Sequence, residues 1–330
     1  MSERRPRIRH RAPAPTSCAG MWAGAAEPAW GTAAPATFWV ALEQRGPWGH
    51  KALTESRLDP AIGRALERSC AAAGGRALLI RRPDDHRLAE DVPERRRLYV
   101  SGGMPAGAPW LLTADIEDPA VVLDLPFELL NEADPEPVIA AIPALHRDVD
   151  SVLLVCTNAR RDACCAVLGR PVALEAATLR PDRVWECTHT GGHRFAATAV
   201  ALPTGATLAR LTTDLAVAAV DATARAELPP ELLQPQHQRG LSHLSPPCQA
   251  ADAAIRFAVE ETDVLGLTSW VVTSGPEPSD PMTIAVSRRD GREWLMRVVK
   301  EYDASTLRKN SCVTAAVPAE SWRVTLAAMT

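Results

Sequence analysis

The sequence predicts an α/β protein made of two units with the same element order, followed by a smaller α+β unit. Three observations lead there. Short apolar runs rich in β-branched and aromatic residues alternate with stretches of helical periodicity. Twice, over 37–114 and 151–211, these runs fall in the order β-α-β-β-β. After residue 248 a single amphipathic helix precedes a series of strand-like runs.

Each element has a local reason. In the first unit 37–42 (TFWVAL) is rich in strand formers, and GPWGH at 46–50 breaks it. A helix is expected over 58–73, opened by Asp59-Pro60 and closed by Gly74-Gly75. Strands are expected at 77–80, 97–101 and 110–114, and short, partly helical pieces at 123–130 and 138–142. In the second unit 151–155 is a strand, 164–179 a helix interrupted by Pro171, and 184–187 a strand. A longer strand, 193–202, turns at Pro203-Thr204-Gly205 into 207–211. An alanine-rich helix at 213–226 stops at Pro229-Pro230, and 229–247 reads as a linker or surface loop. The helix at 249–261 repeats Ala250, Ala253, Ile255, Ala258 and Val259 at helical spacing, and strands follow at 269–273, 282–286, 293–299 and 322–326. The expected organisation is a disordered basic tail (1–17), a first α/β unit (18–148), a second (149–228), the linker (229–247) and the α+β unit (248–330). The shared order suggests an internal duplication.

Composition narrows the function. The 330 residues are 46% apolar and 23% charged, enough for a core in each unit. A net charge of −4 gives no field for nucleic acid or an anionic membrane. The first fifteen residues hold five arginines and lack the apolar stretch of a secretory signal. No apolar run reaches the about 18 residues of a membrane span. The protein is expected in the cytoplasm, where its eight cysteines are reduced thiols, packing residues or metal ligands. Cys18, Cys70, Cys248 and Cys312 stand singly and are expected to pack. No nucleophile elbow, zinc-protease helix, dinucleotide loop, P-loop or glycosidase carboxylate pair occurs, so an electron carrier or oxidoreductase component is expected rather than a hydrolase.

The remaining cysteines point to a metal. Cys156 and Cys165 form a C-x8-C where the buried strand 151–155 runs out into a loop. His189 and His193 form an H-x3-H around Gly191 and Gly192, which let the backbone approach a metal. Two thiols and two imidazoles suit an iron–sulfur cluster or a tetrahedral zinc site. Cys164 and Cys187 are further donors: Cys164 is vicinal to Cys165, and Cys187 shares a strand face with His189. Arg160, Arg161 and Arg194 flank the donors as a basic rim for an acidic partner. Trp185 and Phe195 are expected to pack.

The runs CTNARRDACCAVLGRP (156–171) and VWECTHTGGHRFAATAVALPTG (184–205) resemble the sucrase/ferredoxin-like family, with further likeness in GPWGH and ALLIRRP upstream. The resemblance implies a thioredoxin-like ferredoxin fold for the second unit, and the shared element order suggests that the first is a degenerate thioredoxin-like copy lacking the ligands. It implies Cys156, Cys165, His189 and His193 as ligands of a [2Fe–2S] cluster, with Cys165 preferred to Cys164 by its distance from Asp162. Two imidazoles in place of two thiolates raise the potential of such a cluster. An imidazole nitrogen open to solvent makes that potential depend on pH. A redox partner protein is then expected. The alternatives are a zinc-stabilised scaffold module and a thiol-dependent oxidoreductase using Cys164.

Overall fold

The computed structural model describes residues 12–24, 27–83, 95–147, 150–275, 277 and 280–329. Most of the expected basic tail, residues 1–11, lies outside the described residues. Residues 12–17 lead into α1 (Cys18–Ala23), whose first turn is capped by the Ser17 hydroxyl.

The first unit comprises β1 (Trp39–Glu43), α2 (Pro60–Ala72), β2 (Arg76–Arg81), β3 (Arg96–Gly102) and β4 (Trp110–Ile116). Asp59 starts α2 by accepting the Ala61 N–H at 2.7 Å, with Pro60 in the first turn where its missing N–H costs nothing. Short 3-10 turns at Pro119–Asp124 and Phe127–Asn131, then α3 (Glu136–Ala141), lead to the second unit. That unit holds β5 (Val152–Cys156), α4 (Arg170–Leu179), β6 (Val184–Cys187), β7 (Ala199–Leu202), β8 (Ala206–Leu208), α5 (Thr213–Thr223) and β9 (Gln238–Leu241). The chain ends with α6 (Pro246–Val259), β10 (Leu267–Thr273), β11 (Met282–Arg288), β12 (Glu293–Lys309) and β13 (Ala316–Met329).

Among the described residues, nine strands form one sheet in the order β4-β3-β1-β2-β6-β5-β7-β8-β9. The two units repeat one pairing plan. In the first, β1 lies parallel to β2 and antiparallel to β3, which is antiparallel to β4. In the second, β5 lies parallel to β6 and antiparallel to β7, which is antiparallel to β8. The second strands of the two plans, β2 and β6, meet antiparallel, with Ile80 opposite Cys187 and Arg81 opposite Glu186. The stretch 229–247, expected as a linker, instead supplies β9, the outer strand beside β8. Its polar sequence hid this, because the strand is short and its Arg239 and Gln238 are buried polar residues.

Strand alternation separates three cores. Val40 and Leu42 face Leu66 and Cys70 of α2, while Leu153 and Val155 face Val172 and Ala176 of α4. The opposite face of the sheet is one core common to both units, with Trp39, Ile80 and Tyr99 beside Leu154, Trp185 and Cys187. The sheet curls to close this face: the Trp39 indole N–H donates to Ser242 Oγ at 3.1 Å, just past β9. In the last unit α6 packs Cys248, Ala251 and Ile255 on the four-stranded sheet β10-β11-β12-β13. Its last two strands extend well beyond 293–299 and 322–326 and form a long arm. Cys70 and Cys248 are packing residues. Among the described residues no helix is long and apolar enough to cross a membrane.

A buried ion pair crosses the junction of the two units. Arg81 reaches Glu186 with Nη2 at 2.7 Å and Nε at 2.8 Å, and the Glu186 side chain is 0% exposed. The Thr157 hydroxyl donates to the same carboxylate at 2.9 Å, and the Arg81 guanidinium lies 4.0 Å over the Trp48 ring. Replacing Arg81 by Met leaves a buried carboxylate without its main partner, so urea unfolding should show a loss of about 3–5 kcal/mol. The double variant Arg81→Met/Glu186→Met should recover part of it. A loss below about 1 kcal/mol for the single variant would show that the pair does not hold the junction.

Candidate metal centre

Cys156 is the last residue of β5 and points into the shared core, 0% exposed. After it the chain makes a tight loop. The Asn158 side chain accepts the Arg160 N–H at 3.1 Å and donates to Gly49 O at 3.0 Å, tying the loop to GPWGH. Asp162 then accepts the Cys164 N–H at 2.9 Å and starts the helix. Cys165–Gly169 is a π-helical turn that runs into α4. Pro171 has no N–H to give to an α-type bond, and the wider turn accommodates that loss. Gly169 allows the turn to press on β5, since a Cβ there would lie 2.3 Å from Cys156 O. Cys165 is thereby brought against Cys156.

The histidines arrive from the end of β6. Thr188 is fixed on β2, its N–H bonded to Leu79 O at 3.1 Å and its Oγ1 accepting the Leu79 N–H at 3.2 Å. Gly191 and Gly192 have φ of +76° and +71°, the left-handed region that favours glycine. The chain reverses there, and His193–Phe195 forms a short 3-10 turn instead of the expected start of a strand over 193–202. On a strand the two histidines would stand about 13 Å apart. In the turn their rings stack with centroids 4.8 Å apart and an interplanar angle of 22°. His193 Nδ1 lies 3.2 Å from Cys165 Sγ, and His189 Nδ1 is buried with no hydrogen-bond partner. The structure therefore brings Cys156, Cys165, His189 and His193 together, with an unpartnered donor atom among them.

The ionisation of Cys156 and His193 suits metal binding. The Cys156 thiol is pushed well below its usual range by a hydrogen bond from Cys165, against burial, and His189 and the Thr190 N–H add to the effect. The Cys165 thiol is pushed up by the same shared hydrogen bond and by burial. Burial and the neighbouring His189 lower His193 to about 4, so its imidazole is neutral at physiological pH. A thiolate and a neutral imidazole are the forms that ligate metals. The set fits a metal group of mixed sulfur and nitrogen donors.

The other expected residues are placed differently. Cys187 pairs with Cys156 across β5 and β6, and burial pushes its thiol well up, so it packs beside the set as a neutral neighbour. Cys164 points the other way. It lies in a group with Cys18, Cys312 and Asp162, whose donor atoms are all within 4.8 Å of one another and could hold a metal ion. Cys18 and Cys312 are thus not isolated packing residues; no local spacing links segments so far apart in the chain. Arg160 is exposed, and Arg161 contacts the His50 ring at 3.1 Å. Arg161 lines a cavity of about 210 Å³ with His50, Lys51, Arg76 and His189. Arg194 is not part of an open rim. Its guanidinium lies 4.9 Å from the Trp22 ring and 4.6 Å from the Phe195 ring, and burial lowers its pKa. Trp185 packs edge-on to Tyr99 and Phe195 edge-on to Trp22.

Arg239 escaped the sequence reading. It rises from β9 beneath the histidine turn, fully buried, and donates to Gly191 O at 3.0 Å and to Thr32 Oγ1 at 3.1 Å. Its hydrogen bonds go to neutral oxygens, including Thr32 O. A Cβ at residue 192 would lie 2.6 Å from the Arg239 guanidinium carbon, so Gly192 makes room for this arginine and not for a metal. Burial and Arg194 lower its pKa to about 9, which leaves it cationic at neutral pH.

The sucrase/ferredoxin-like family model matches residues 29–237, a span that holds both thiols and both imidazoles of the central set. No curated protein and no solved structure matches the chain. The match covers well over half of the sequence and carries the loops that build the centre, so the chain belongs to the sucrase/ferredoxin-like family.

Proposed function

We propose that Cys156, Cys165, His189 and His193 hold a [2Fe–2S] cluster and that the protein passes single electrons to or from a protein partner in the cytoplasm. The carrying observation is the convergence of two thiols and two imidazoles at the ends of β5 and β6, with Cys165 Sγ 3.2 Å from His193 Nδ1. Among the described residues the group whose donors all close to within 4.8 Å, and which could hold a single ion, is the Cys18 group. The strand order β8-β7-β5-β6, with parallel β5 and β6 and the donor loop directly after β5, supports a thioredoxin-like ferredoxin unit. The first unit repeats that plan, with Glu43 ending β1 where Cys156 ends β5, which supports a copy without ligands.

When bound, such a cluster supplies a one-electron couple at a potential above that of four-thiolate ferredoxins, because two imidazoles replace two anions. The protein's own groups set the conditions. Cys156 and Cys165 are nearly free of solvent, which keeps water from the thiolates. Arg239 places a buried positive charge under the histidine turn and favours added negative charge there. Arg161, His50, Lys51 and Arg76 outnumber the single carboxylate, Glu67, around the cavity beside His189 and offer a net basic surface to an acidic partner.

Anaerobically purified protein should show visible charge-transfer bands that bleach with dithionite and about two irons per chain. Cys156→Ser and Cys165→Ser should lose both, while Cys164→Ser keeps them. A colourless protein in which the Cys156 set holds zinc would sink the electron-transfer reading. Negative charge gained on reduction raises the proton affinity of the imidazoles, so the potential should fall as pH rises, by up to about 59 mV per unit for each coupled proton. A flat potential between about pH 6 and 10 would rule out solvent-linked histidine ligation. Arg239→Gln should lower the potential by tens of millivolts, read by redox titration alongside circular dichroism as a check on folding.

A further inference from the structure

Three distant segments meet on the outer side of the donor loop. Cys18 opens α1, Asp162 and Cys164 belong to the loop after β5, and Cys312 lies at the tip of the β12–β13 arm. Cys164 Sγ is 3.4 Å from Cys312 Sγ, which is 3.6 Å from Cys18 Sγ. Cys18 Sγ lies 3.6 and 3.7 Å from the two Asp162 oxygens. A tetrahedral zinc ion with bonds of about 2.3 Å to sulfur and about 2.0 Å to oxygen has edges of roughly 3.8 Å between sulfurs and roughly 3.5 Å between sulfur and oxygen. The observed separations lie near those edges. They are far from the about 2.05 Å of a disulfide, and all three thiols are free.

The carboxylate is prepared for such a role. Asp162 is 1% exposed and accepts the Cys164 N–H, the Cys312 N–H at 2.7 Å and the Ser311 hydroxyl at 2.8 Å. Those donors fix its orientation, as outer hydrogen bonds do for metal-ligating carboxylates. Among the described residues no arginine or lysine forms an ion pair with Asp162. A buried carboxylate among three thiols and without a countercharge is a pattern that a divalent cation completes.

From this geometry we propose that Cys18, Cys164, Cys312 and Asp162 hold one zinc ion. Four protein donors leave no open position, so the ion is structural. It clasps α1 and the tip of the β12–β13 arm onto the loop that carries Cys165. Cys18 and Cys312 lie outside the span matched by the family model. The inference does not rest on the cluster at Cys156.

The test is zinc and iron analysis of the full-length protein, purified without chelator, for wild type, Cys312→Ser, Cys164→Ser and Cys156→Ser. Wild type and Cys156→Ser should each hold one zinc per chain at this site, and Cys312→Ser and Cys164→Ser should lose it while keeping the visible bands. Cys312 is only partly buried at a hairpin tip, so its replacement by serine should leave the fold intact. Two zincs in a colourless protein, one lost with Cys312→Ser and the other with Cys156→Ser, would support this site and overturn the cluster reading. Cobalt offered in place of zinc should give tetrahedral bands with thiolate charge transfer that weaken in Cys312→Ser. The proposal is overturned if wild type takes up no zinc when Zn²⁺ is supplied. It is also overturned if zinc persists in Cys312→Ser and Cys164→Ser, or if mass spectrometry finds a Cys164–Cys312 disulfide in its place.

Discussion

The antiparallel seam between β2 and β6 is the constraint on which the rest of the molecule depends. Its register is only two residues long, Ile80 with Cys187 and Arg81 with Glu186, so backbone pairing alone gives it little strength. The buried Arg81–Glu186 pair compensates, because a charge pair excluded from water tolerates little displacement before desolvation dominates. The seam also sets the donors. Thr157, the residue after Cys156, hydrogen bonds Glu186, and Thr188, the residue before His189, is bonded to Leu79 of β2. Both loops therefore leave from residues fastened to the junction of the two units.

Vicinal cysteines then face opposite ways from one loop. Cys165 faces inward to Cys156 and His193, and Cys164 faces outward to Cys18 and Cys312. A helix rotates about 100° per residue, so neighbours on one turn address different sides. The start of a helix can thus serve two donor sets at once, provided that the loop before it is rigid. Asn158 and Asp162 supply that rigidity through bonds to backbone N–H groups.

Much of this was legible in the sequence where the signal was local. The strand 151–155 emerged as an apolar run because both of its faces are buried. The C-x8-C and H-x3-H spacings named the four donors that the structure brings together. The GPWGH likeness has a physical basis, since Gly49 holds Asn158, His50 meets Arg161 and Trp48 underlies Arg81. Illegible features depended on the tertiary arrangement. Strand periodicity hid the reversal at Gly191 and Gly192, which is supported by Arg239 from another strand. β9 looked like a linker because its buried residues are polar and find their partners far away in the chain. Cys18 and Cys312 stand 294 positions apart, beyond any motif.

The long β12–β13 arm has a consequence for biosynthesis. Its tip presents the Ser311 hydroxyl and the Cys312 N–H to Asp162, a contact spanning 150 residues. Translation delivers those groups about 150 residues after Asp162. The second unit can pair its strands earlier, yet the carboxylate that starts its donor helix gains two of its hydrogen bonds last. Closing a loop of that length costs on the order of 4 kcal/mol of chain entropy, which the arm's contacts must offset before the loop at Asp162 gains these two bonds. Order in the loop that carries Cys164 and Cys165 is thereby coupled to the docking of a distant arm.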